Sequence, residues 1–112
     1  MKPELLQRGL YLCFYCRTQT RHNSMLLSEW LLQQARAQGV GGGSVMRAIA
    51  GYGRHGVMHE EHFFELADDL PIKVEFLLHE DQVEALLDVV REANVDVTYA
   101  YSPANFAVLG KH

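Results

Sequence analysis

Apolar positions along the chain fall into short runs with two periods. Gly9 to Cys16 (GLYLCFYC) is an apolar and aromatic run of strand length, and residues 1–8 before it read as a polar N-terminal arm. Leu27, Trp30, Leu31 and Ala35 recur at helical spacing after the N-cap candidates Asn23-Ser24, and Gly39 supplies a stop. The turn Val40–Gly43 leads into a second strand, Ser44–Tyr52. Pro71–Leu78 is a third, with Ile72, Val74, Phe76 and Leu78 on one face and Lys73, Glu75 and Leu77 on the other. Asp81 to Glu84 has the form of a capping box, and Val83, Leu86, Leu87 and Val90 trace the stripe of a second helix. Val95, Val97, Tyr99 and Tyr101 alternate with Asp96, Thr98 and Ala100 in a fourth strand, which Pro103 ends, leaving 102–112 as a C-terminal tail.

The order β-α-β-β-α-β predicts an α+β, ferredoxin-like fold in a single domain over residues 1–112: a four-stranded antiparallel sheet with both helices on one face. The first strand is apolar on both sides, with Leu10, Leu12, Phe14 and Cys16 on one and Tyr11, Cys13 and Tyr15 on the other. Two helices cover one face only. Leaving the other wet costs about 25 cal/mol per Å² of apolar surface, so the pattern predicts that association of copies buries the back of the sheet.

Composition narrows the partners. With 48% apolar residues the chain can build its own core. Ten Lys+Arg against fourteen Asp+Glu give a net charge of −4, which argues against nucleic acid and anionic lipid as partners. No apolar run approaches the roughly 20 residues that span a bilayer. The N-terminus has no signal-peptide pattern, and two cysteines make no disulfide scaffold. The expectation is a cytoplasmic protein without direct membrane insertion.

Two motif spellings carry no chemistry. Cys13 and Cys16 spell CxxC, but residues three apart on a strand point to opposite faces, so both read as buried structural thiols. Gly51 to Gly56 spells GxGxxG after the second strand, where a dinucleotide fingerprint would follow the first. No catalytic motif nominates an enzyme.

The chemistry concentrates in Arg54–Asp69, sixteen residues joining adjacent antiparallel strands, where hairpin loops run to about 2–5. His55, His59 and His62 have the i, i+4 and i, i+3 spacing that lets histidines share a divalent metal; the alternative is a solvated loop whose histidines share nothing. Phe63 and Phe64 are natural anchors for a partner protein. Arg54 offers a fork of donors for a phosphate or carboxylate.

Three segments carry a family resemblance: RAIAGYG at Arg47–Gly53, His59 beyond it, and DLPI at Asp69–Ile72. They resemble the PII-like proteins grouped as "domain of unknown function 190", and the similarity in element order extends over residues 9–101. More distantly, GYGRHG, the long connection and PIKVEFLLHEDQVEALLDVV resemble the classical PII nitrogen regulators.

The resemblance implies a homotrimer whose sheets line the core. It also implies a small anionic effector, such as an adenine nucleotide, in the clefts between subunits. Residues 54–69 become the counterpart of the T-loop, which contacts a membrane transporter or a cytosolic enzyme. Gly53 and Arg54 match the loop base that touches nucleotide and effector, and Glu75 matches the strand position facing the adenine pocket. His55 stands where the classical loop has the glutamine used in metal and 2-oxoglutarate binding.

Some classical features are absent from the sequence. Glu92–Asp96 replaces a Gly-rich, Lys-containing phosphate loop, Tyr99–Asn105 has no arginine, and no tyrosine lies in 55–70 for uridylylation. The expected function is a non-enzymatic, trimeric regulatory protein. The alternative is a divalent-metal-binding protein similar to the CutA trimers, with His55, His59 and His62 as ligands.

Overall fold

Alternating apolar and polar residues pair into a sheet, and the two amphipathic stripes pack on one side of it. The computed structural model describes residues 5–52 and 70–110. In chain order the elements are β1 (Gln7–Arg17), β2 (Arg21–His22), β3 (Met25–Leu26), α1 (Leu27–Ala37), β4 (Gly43–Arg47), β5 (Pro71–His79), α2 (Glu80–Ala93) and β6 (Thr98–Phe106). The main sheet is antiparallel in the order β4-β5-β1-β6, and β2 with β3 makes a separate small hairpin. The expected ferredoxin-like arrangement is therefore present.

Register fixes which side chains share a face. Leu12 pairs with Phe76, Phe14 with Val74 and Cys16 with Ile72. These residues are buried with Leu27, Trp30, Leu31 and Ala35 of α1 and Val83, Leu86, Leu87 and Val90 of α2 in one core. The two helical stripes meet the face assigned to them from the sequence. Gly43 lies against this core because the Phe76 ring and Leu32 occupy the space a side chain would need.

Five local readings change. Asn23 and Ser24 do not cap α1. Both have positive φ, 52° and 64°, and they turn the β2–β3 hairpin, so Leu26 is the N-cap. At α2 the N-cap is His79, whose backbone N–H donates to Gln82 Oε1 at 2.9 Å, two positions before the expected capping box. Pro103 does not end the last strand: β6 continues to Phe106 at the sheet edge, where a missing donor is tolerated. The tail thus begins later than residue 102, and β1 starts at Gln7, inside the expected arm. The second strand is shorter than read, ending at Arg47.

The free cysteines Cys13 and Cys16 are both buried, and they point to opposite faces as the strand period requires. Burial pushes the Cys16 thiol up to about 11. No helix among the described residues is long and apolar enough to cross a membrane.

Two stability measurements test this packing. A Cβ at Gly9 would strike the Leu78 carbonyl oxygen and the Phe106 ring, whereas one at Gly42 meets nothing. Gly9→Ala should therefore lose about 1–3 kcal/mol in urea denaturation, with Gly42→Ala neutral or slightly stabilising. Because the Cys16 pKa is raised on folding, its neutral form favours the native state fully below pH 9, and that contribution is lost as pH rises towards 11. The stability gap between the wild type and Cys16→Ala should accordingly narrow across that window and stay level below it.

Candidate functional site

The helix-free face is built from the alternate residues of the same strands. Ser44 and Cys13 flank Glu75, Tyr11 faces Leu77, and Met46 faces Lys73. Cys13 is covered by its neighbours, but Tyr15, Leu77 and Met46 are 46%, 46% and 51% exposed. This face therefore presents large apolar groups to water around one buried thiol. The predicted two-sided character of the first strand is present in the structure.

Lys73 and Glu75 bring charge to this face from β5. Lys73 Nζ lies 3.6 Å from Glu75 Oε1, and it stands 5.9 Å from the centroid of the Tyr11 ring. The Tyr11 hydroxyl and then the Glu75 carboxylate raise the Lys73 pKa. Glu75 Oε1 is buried and accepts no hydrogen bond from the described residues. A carboxylate oxygen taken from water without a donor is an unfavourable arrangement that a ligand with an N–H or O–H group can relieve.

Glu75 also lines an open cleft of about 720 Å³. One wall is the turn Gly41–Ser44. Tyr11, Glu75 and Leu77 form the floor, His79 and Gln82 the end beside α2, and Phe106 with Val108 the far wall. Gly9 makes room for the Phe106 ring, which lies 5.5 Å from the His79 ring. The size suits a nucleotide-sized ligand, and the lining is mostly apolar with a few converging polar groups. Sequence reasoning found Glu75 alone among these residues; the glycine turn read only as a connection.

At the other end of β5 the chain returns from the long connection. Thr18 N–H donates to the Leu70 carbonyl at 3.0 Å, and Leu70 N–H donates to Thr18 Oγ1 at 3.0 Å. Ala48 N–H donates to the Pro71 carbonyl at 2.9 Å. These bonds fix where the connection leaves and rejoins the sheet. Gly53, Arg54, His55, His59, His62, Phe63 and Phe64 lie outside the described residues, as does the rest of 54–69. Among the described residues no three His, Cys, Asp or Glu side chains come together as a metal site. Glu75 is four residues from Pro71, roughly 13 Å along the strand, so cleft and loop root occupy successive parts of the sheet.

The fold has solved relatives. CPII from Thiomonas intermedia K12, a nitrogen regulatory PII-like protein bound to ADP, AMP and bicarbonate, superposes with a TM-score of 0.71 at 18% identity, covering 95% of this chain and 94% of that one. Its apo form matches with a TM-score of 0.63 at 13% identity, over 95% and 99% of the two chains. In sequence, a UPF0166 protein from Aquifex aeolicus (strain VF5) is 33% identical over 63 residues, which is 56% of this chain. The match spans 60% of that relative's length. The model of the DUF190 family, described as "Uncharacterized ACR", matches residues 9–103. With that match over most of its length, the chain belongs to the DUF190 family, on a PII-like ferredoxin fold.

Proposed function

We propose that the protein is a PII-like regulator, a single domain over residues 1–112 that assembles as a homotrimer through the helix-free faces of its sheets. A small anionic effector, with an adenine nucleotide first among candidates, binds where the cleft of one copy meets the loop base of another. Glu75 serves the cleft, and Gly53, Arg54 and His55 serve the loop base. Residues 54–69 then contact a transporter or an enzyme in the cytoplasm, with Phe63 and Phe64 as anchors.

The observation that carries this reading is the position of the cleft. Its lining includes Leu77 of the exposed face and Glu75, whose buried Oε1 has no hydrogen-bond donor among the described residues. A facing copy would cover the apolar groups and close the cleft in one step, and a ligand N–H would satisfy the carboxylate. The described lining contains no lysine or arginine, so an anionic group needs a cation from elsewhere, and Arg54 is the candidate. ADP and AMP bound to the CPII neighbour support an adenine nucleotide.

Thermal unfolding in the presence of increasing ADP tests the site. The melting temperature should rise with ADP concentration, because a ligand that binds only the folded form stabilises it by mass action. Arg54→Ala should remove most of the rise while leaving the ligand-free melting temperature in place. No shift with ADP, or an undiminished shift in Arg54→Ala, would contradict the assignment.

A further inference from the structure

One cation on the helix-free face is held by two groups that both front the cleft. Lys73 Nζ is 3.6 Å from Glu75 Oε1, beyond hydrogen-bond length, and 5.9 Å from the Tyr11 ring centroid. Glu75 and Tyr11 line the cleft, while Lys73 lies beside it on the open face, its side chain 34% exposed. The carboxylate oxygen 3.6 Å from Lys73 Nζ is the one left without a hydrogen-bond donor among the described residues. The pair is thus held by charge at that oxygen, and Glu75 belongs to the lining of a space large enough for a ligand.

We infer that Lys73 couples occupancy of the cleft to association of copies through the helix-free face. An occupant with an amino or imino donor hydrogen-bonds Glu75 and draws on the charge that holds Lys73. The ammonium is then available to acceptors on a facing copy. In the reverse direction, a facing copy that engages Lys73 leaves the Glu75 oxygen open to the occupant. Each event favours the other, and thermodynamic linkage requires the two effects to be equal. This inference rests on the trimer and cleft proposed above, and it adds the residue through which they communicate.

The test uses ADP as the probe and the full chain. Sedimentation velocity over a dilution series gives the association constant with and without ADP, and isothermal titration gives ADP affinity. In the wild type, ADP should raise the association constant about tenfold. Lys73→Met keeps the aliphatic stem and should still bind ADP, but the enhancement should fall to about twofold or less. Lys73→Arg restores a cation at the same place and should recover the enhancement, which a merely structural role for the stem would not predict. Full enhancement in Lys73→Met would overturn the coupling and leave the trimer and cleft standing. A wild type that binds no ADP, or never associates, would overturn both.

Discussion

A sheet has two faces, and the described residues supply helices for one of them. The rest of the structure depends on that imbalance. On the covered side, Leu12, Phe14, Val74 and Phe76 meet the stripes of α1 and α2 with almost no residual exposure. On the other side, Tyr15, Leu77 and Met46 are half open to water, while Cys13 between them is buried. Roughly 25 cal/mol for each Å² of such surface is available to whatever covers it. A monomer gains none of it.

The strand pattern carried most of this information. In β1 and β5 every residue from Leu10 to Cys16 and from Ile72 to Leu78 lies on the face its parity assigns, because the side-chain period of a strand is two and leaves no other choice. Local punctuation was less legible. Asn23-Ser24 belongs to residue types that cap helices and also turn hairpins, and only the positive φ at both positions separates the two uses. Pro103 reads as a stop unless its strand is known to lie at the edge, and edge position follows from pairing among distant segments. The cleft was the least legible feature. Its walls come from the glycine turn, the end of β5, the start of α2 and the end of β6, and no contiguous stretch of sequence contains it.

Glu75 was found because a family position pointed to it; its environment explains why a carboxylate there has consequences. Among the described residues one oxygen is buried without a donor, beside a cation that is near but not hydrogen-bonded. Removing that oxygen from water is a cost that no hydrogen bond from the described residues recovers. A ligand in the cleft or a neighbour across the face would recover it, and the same surface serves both. On this account binding and assembly are two ways of completing one unfinished surface.

The most direct measurement is the mass of the full chain in solution by multi-angle light scattering, at micromolar concentration and without ligand. The account predicts a particle of about three times the 12.7 kDa chain mass. A stable particle of one-chain mass, with Leu77 and Tyr15 left in water, would contradict it.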